Sequence, residues 1–317
     1  MAARGFVVAF VLSQAAIVGQ TLPELTARLA AAETLDGPMV GDGGDKSDTW
    51  RAYERWRAAA TAEQLREFTK HESPIVRAYA VRALVETDAD VDFAAIAGEH
   101  VLDTAKVTTF EGCGQGVEAV GDVMLATLRP KMSAEQQLDL AEALIARKSP
   151  LFAREWSLRT LRLRDGMLHT VRSLAENGDA VAAIALARYG VPRDAATLAK
   201  LLANADPFAD NAWFLAAELH RDPSLLAPLL AIEVKARKRL ESDNFYRLFS
   251  WLHAIAAQGS PDAAAFLVRF LDETTTSTAH READVLETMQ RAIADHAECA
   301  AFDGLRTALK RRQAKLK

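Results

Sequence analysis

Two cysteines stand 186 positions apart in this chain, and only one of them sits in unusual surroundings. Phe110-Glu-Gly-Cys-Gly-Gln-Gly116 surrounds the thiol of Cys113 with three glycines, which let a backbone turn sharply or approach a ligand. The chemistry such a site offers is nucleophilic or redox. That chemistry needs a thiolate, and the sequence neighbours Glu111 and Asp122 oppose one, leaving His100 as the nearest imidazole to favour it. The default reading is therefore a packed loop between helices, with Cys113 the weak catalytic candidate. No spacing of Cys113 and Cys299 fits a zinc site or predicts a disulfide.

Metal chemistry has two candidate groupings. His280, Asp284, His296 and Cys299 supply ligand types, with His296 and Cys299 on one helix face, yet nothing in the sequence makes three or four ligands converge. Asp42, Asp45 and Asp48 recur every third residue rather than in the alternating pattern of a calcium loop, which reads as an acidic turn. Neither a metal nor a cofactor is expected. Basic runs at Lys235-Ala-Arg-Lys-Arg239 and Lys310-Arg-Arg-Gln-Ala-Lys-Leu-Lys317 have a phosphate-binding alternative, but cations near helix C-termini are favoured without any ligand. A formal charge of -5 weighs against nucleic acid as a general partner. Trp156, Trp213 and Trp251 are the weak candidates for exposed binding anchors, since tryptophan is enriched at binding hot spots.

The elements that would position these residues are helical. Half of the 317 residues are hydrophobic, mostly Ala and Leu, with few aromatics and sparse Gly and Pro. One start signal recurs: a capping residue followed by proline, in Ser73-Pro74, Ser149-Pro150, Asp206-Pro207, Asp222-Pro223 and Ser260-Pro261. Apolar stripes of helical period follow these starts and predict pairs over 73-86 with 90-102, 149-163 with 167-176, 179-189 with 193-203, and 208-220 with 222-234. Arg193-Asp-Ala-Ala-Thr-Leu-Ala-Lys-Leu-Leu202 and Arg221-Asp-Pro-Ser-Leu-Leu-Ala-Pro-Leu-Leu230 share six of ten positions, 28 residues apart. Such repetition marks helix pairs that bury their apolar faces by stacking on one another.

Ser73-Pro-Ile-Val-Arg-Ala-Tyr-Ala-Val-Arg-Ala-Leu84 resembles the first helix of a HEAT-like repeat, and Ser149-Pro-Leu-Phe-Ala-Arg-Glu-Trp-Ser-Leu-Arg-Thr-Leu161 resembles a degraded copy with one residue inserted. The resemblance implies an all-α fold, an α-α superhelix of stacked antiparallel pairs over residues 49-317, with Arg77 and Arg82 tying neighbouring repeats together. The chain is also similar to exported bacterial HEAT-type proteins that carry a Gly-Cys loop, at Gly112-Cys113 here, after the first well-formed repeat, a likeness that implies no particular activity.

Residues 20-48 read as an N-terminal helix over 21-35 and a glycine-rich loop, preceded at 1-19 by an apolar run, Phe6 to Leu12, that reads as an export signal. No later stretch is long and apolar enough to span a bilayer. Together these features predict a non-enzymatic scaffold outside the cytoplasm that binds a protein or peptide. The alternative is a nucleic-acid-processing or thiol-dependent enzyme on the same helical frame, as in HEAT-like alkylpurine DNA glycosylases.

Overall fold

The computed structural model describes residues 20–204, 206, 211–240, 246–274, 279–294, 296 and 298–316. The leader over 1-19 lies outside them, as does most of the predicted start at Asp206-Pro207. The chain is mostly helical, with 18 α-helices among the described residues and one sheet of three strands. It divides into two compact units that meet in sequence between Glu155 and Trp156.

In the first unit α1 (Leu22–Ala30) is followed not by a loop but by β1 (Thr34–Val40). Four helices come next: α2 (Asp48–Ala59), α3 (Ala62–Phe68), α4 (Pro74–Glu86) and α5 (Phe93–Glu99). Strands β2 (Lys106–Gly112) and β3 (Gly114–Ala119) then form a hairpin, and α6 (Val120–Leu128), α7 (Ala134–Ala146) and the start of α8 (Phe152–Thr160) complete the unit. Local capping explains most helix starts. Ser47, Thr61, Asp92 and Ser133 each accept a backbone N–H of the first turn, and Pro74 occupies the first helical position after Ser73. The Ser149-Pro150 pair acts otherwise. Ser149 donates to the Val101 carbonyl, while the Asp122 carboxylate reaches across to accept from Phe152 and Ala153 at 3.1 and 2.8 Å, capping α8 from α6.

The sheet corrects the all-α expectation. β1 pairs parallel to β2, Leu35 opposite Thr109, and β2 pairs antiparallel to β3, Thr109 opposite Gly116. Val107-Thr-Thr-Phe110 is β-branched and aromatic, the composition that suits a half-buried pleated surface. Helix α4 packs on β1 and β2, and α6 packs on α4 and β3. Helix α6 approaches the 100-103 segment so closely that a Cβ on Gly121 would lie 2.7 Å from the Asp103 carbonyl oxygen.

One side chain closes the outer edge of β1. The N–H of buried Asp36 donates to the Tyr79 hydroxyl at 2.9 Å, and the same hydroxyl donates back to the Asp36 carbonyl at 3.0 Å. Arg82 adds a hydrogen bond to that carbonyl and lays its guanidinium over the Trp50 ring. Tyr79 stacks on Tyr53, with ring centroids 4.5 Å apart, inside a cluster that includes Trp50. Arg77 forms a bidentate pair with Asp103 and also donates to the carbonyls of His71 and Glu72. It thus joins α4 to the segment leading into β2.

The second unit contains α9 (Leu168–Glu176), α10 (Ala180–Tyr189), α11 (Asp194–Asn204), α12 (Ala212–His220), α13 (Leu226–Ala231), α14 (Glu233–Leu240), α15 (Tyr246–Ala257), α16 (Pro261–Glu273), α17 (Ala279–Ala294) and α18 (Asp303–Leu316). Its helices pack in two rows, α10 on α12 on α15 on α17, and α11 on α13 and α16 on α18. Asp194 is almost wholly buried and takes a bidentate pair from Arg172 at 2.7 and 3.0 Å. In the second copy of the repeated phrase the matching Asp222 instead accepts from Ser224 at the start of a short 3-10 turn. The phrase therefore marks a helix start twice with different partners.

Tyr79→Phe is expected to cost about 1–3 kcal/mol, because it strands the buried Asp36 N–H and leaves the Asp36 carbonyl only its longer bond from Arg82. Tyr53→Phe should cost less than about 1 kcal/mol, since the Glu86 carboxylate it leaves keeps Arg57. Urea unfolding checks the order; equal losses would show that the edge closure contributes nothing. A second outcome concerns acid. Burial holds the His100 imidazole below its ordinary value, against the pull of Asp103 at 3.5 Å, with Arg77 acting in the same direction as burial and Glu99 against it. The folded chain takes this proton less readily than the unfolded chain. Its stability contribution is therefore complete above roughly pH 6.5 and is lost as pH falls through that value toward the depressed one. Replacing His100 by Gln should flatten stability against pH in this window, and a decline parallel to that of the unaltered chain would contradict it.

Candidate functional site

Helices cover much of the sheet, but the β2–β3 hairpin stands out at its tip and along one side. Gly112 takes φ +56° at the first central position of a two-residue turn, the sign that primed hairpin turns demand. Cys113 occupies the second position and is exposed. The predicted inter-helix loop is thus a hairpin turn. The one imidazole near the thiol in sequence is engaged elsewhere, His100 being buried beside Asp103, and the acidic neighbours have other roles: Asp122 caps α8 and the Glu111 side chain lies against Gly37. Cys113 has exposure without an activating base among its described contacts.

The ladder fixes which backbone groups of β3 point outward. Val120 N–H donates to the Ala105 carbonyl at 2.7 Å, so residues 105 and 120 form a hydrogen-bonded pair. By the alternation of an antiparallel ladder, 107 with 118, 109 with 116 and 111 with 114 are bonded pairs as well. Gln115 and Val117 then direct both N–H and C=O away from β2. Among the described residues no other strand lies beyond β3 in the sheet. Val117 is 69% exposed, the highest value among the exposed large hydrophobic residues.

A half-open groove of about 530 Å³ runs beside this edge, between one face of the sheet and α6. Most of its strand positions share one parity, Leu35 and Gly37 of β1, Thr109 and Glu111 of β2, and Gly114, Gly116 and Glu118 of β3, while Phe110 and Gln115 of the other parity also border it. Thr109 donates to the Glu118 carboxylate at 3.0 Å, holding it along the β3 side of the groove. Arg82 lines the β1 side, engaged with the Asp36 carbonyl and the Trp50 ring. Glycines at 37, 114 and 116 remove the side chains that would fill the hollow.

The tryptophan candidates fare differently. Trp213 and Trp251 are buried at 8% and 0% exposure, and the indole N–H of Trp251 donates to the Leu229 carbonyl at 2.8 Å. They are core residues because their helices stack on both sides, which corrects their reading as anchors. Trp156 is half-buried on α8.

Nor do the proposed ligand groupings assemble. Cys299 donates weakly to the Gly259 carbonyl at 3.7 Å, His296 packs against Phe302, and the side chain of His280 lies outside the described residues. Asp48 pairs with Arg51 and Arg28 in the first turn of α2. Among the described residues no group of three or more His, Cys, Asp or Glu side chains is placed to hold a metal ion. Each basic run has one arginine held by carboxylates, while Lys235, Lys238, Lys310 and Arg311 are exposed. Arg237 pairs with Glu233 and Glu273, and Arg312 with Glu282 and the Thr274 carbonyl. Among the described residues no helix is long and apolar enough to cross a membrane.

No protein-family model, curated protein or solved structure matches this chain. The edge itself was missed in the sequence because Gln115-Gly-Val-Glu118 reads as loop. The signal that could have found it is Val107-Thr-Thr-Phe110 followed by a Gly-flanked two-residue turn.

Cys113 should react with a thiol probe at the rate of an unactivated exposed thiol, ahead of half-buried Cys299, and Cys113→Ser should shift stability by less than about 0.5 kcal/mol. Labelling far faster than a free peptide thiol near neutral pH would restore the nucleophile reading.

Proposed function

We propose that this chain is a non-enzymatic scaffold of stacked HEAT-like helix pairs that binds an extended segment of another protein. The observation that carries the reading is the outer edge of β3, where Gln115 and Val117 offer a row of outward backbone donors and acceptors next to a groove. Strand addition to such an edge takes its affinity from main-chain hydrogen bonds and its specificity from the pockets that receive alternate side chains. The two rows of helices in the second unit support the superhelical part of the proposal, since each row repeats one packing step along the chain. The apolar run from Phe6 to Leu12 supports export as its route to the partner. An enzymatic role draws less support: among the described residues no base stands beside the exposed thiol, and the hydroxyl–carboxylate pair of the groove, Thr109 with Glu118, has no third group hydrogen-bonded to the carboxylate to orient it.

Panning a library of linear octapeptides against the full chain tests this. Enrichment is expected on the unaltered protein and is expected to vanish on Val117→Pro. Proline there removes an outward N–H and leaves the bonds to β2 intact, so the fold should persist. Enrichment that survives Val117→Pro would move binding away from the edge, and no enrichment at all would count against a peptide-binding role.

A further inference from the structure

The edge and groove also carry information about the partner's side chains. Resting on the scaffold reading above, we infer that the bound segment is an extended peptide presenting a basic, then an apolar, then an aromatic residue opposite Glu118, Val117 and Gly116.

Each position follows from what β3 presents. Glu118 is exposed, its carboxylate accepts from the Thr109 hydroxyl, and it has no ion pair with a cation among the described residues. A lysine or arginine directly across the new strand pair supplies that missing charge, while a glutamate there would be repelled. Val117 projects to the other face of the sheet, where Phe110 is partly exposed, and a β-branched residue across from it would bury apolar surface now in water. Gly116 leaves its place on the groove face empty, with Thr109 beneath it; a Cβ built there would stand 3.3 Å from the Thr109 hydroxyl. A flat ring from the partner strand covers such an edge glycine without entering the space below it. Arg82 does not reverse the charge preference, because its guanidinium is turned onto Trp50 and the Asp36 carbonyl on the far side of β2.

A second copy of the chain is a poorer occupant. Pairing β3 with itself about Val117 sets Glu118 across from Gly116 and offers no cation to the carboxylate. A strand of six residues also covers far less than the roughly 1,200 Å² that a stable interface buries.

The test uses the full chain and two fluorescein-labelled octapeptides, identical threonine-flanked strands with a central Lys-Val-Tyr or Glu-Val-Tyr. Anisotropy should show the lysine peptide binding roughly two- to five-fold tighter than the glutamate peptide, the factor that one cross-strand charge pair supplies. Glu118→Lys should reverse the order. N-methylation of alternate amides in the lysine peptide should abolish binding, a control that leaves the protein unaltered. Equal affinity of the two peptides, with N-methylation still abolishing binding of the lysine peptide, would overturn the partner assignment while leaving the scaffold reading in place. Binding that ignores N-methylation, or no binding of either peptide, would overturn the edge as the docking place. Self-association of the chain that is lost in Val117→Pro would assign the edge to a second copy instead.

Discussion

The hydroxyl of Tyr79 satisfies both backbone groups of Asp36, and the asymmetry of the small sheet depends on it. A three-stranded sheet has two outer edges, each with a row of donors and acceptors that must be paired, covered or left to solvent. On the β1 side the donor and acceptor are buried, where leaving them unpaired is costly, and Tyr79 reaches them from α4 at 2.9 and 3.0 Å. The aromatic stack with Tyr53 and the packing of Trp50 hold that ring in place. On the β3 side nothing corresponds among the described residues. Closure of one edge leaves the other as the place where the sheet can still grow.

In each unit a largely buried charge pair joins two parts of the chain that are separated by a whole helix. Arg77 with Asp103 and Arg172 with Asp194 are bidentate and largely shielded from water, the geometry in which arginine differs from lysine. Asp103 also accepts from, or attracts, the buried His100 ring. Arg188 binds the carbonyls of Leu158 and Arg159, and Tyr189 donates to the Arg164 carbonyl, so the chain turn before α9 is held by the end of α10. Arg77, expected as a tie between neighbouring repeats, joins α4 to the segment leading into β2. Arg82 differs, since it supports a strand and an indole ring. Such positions are structural, and this narrows the residues left free to meet a ligand.

The helices were legible because their signals are local. Capping residues, first-turn prolines and 3.6-residue stripes lie within a few positions of each other, and the predicted 73-86, 179-189 and 193-203 segments correspond to Pro74–Glu86, Ala180–Tyr189 and Asp194–Asn204. The strands were not, for two physical reasons. β1 contains Gly37 and Pro38, which ordinarily break a strand, and its partner β2 begins more than sixty residues later, so its pairing energy is invisible in any short window. Burial of tryptophan was illegible for a related reason. An amphipathic stripe says that a face is covered, but Trp213 and Trp251 are buried by neighbours on more than one side, which only the stacking of whole helices determines. The groove depends on parity across three strands, and it became visible only once the register was known.

An open edge is ordinarily a hazard, since any unfolded chain can pair with it. β3 limits that hazard in the ways available to a short strand: it has six residues, it ends in a helix, and it carries an exposed carboxylate at Glu118 with glycines at 114 and 116. Each feature weakens indiscriminate pairing. Few main-chain bonds can form, glycine contributes no side-chain contact of its own, and a carboxylate disfavours strands that place acid opposite it. The same features make side-chain identity count for more, because the main-chain contribution alone is too small to hold a partner. Selectivity at this edge therefore follows from its weakness: a segment binds only where its side chains supply what the glycines, Val117 and Glu118 leave unsatisfied.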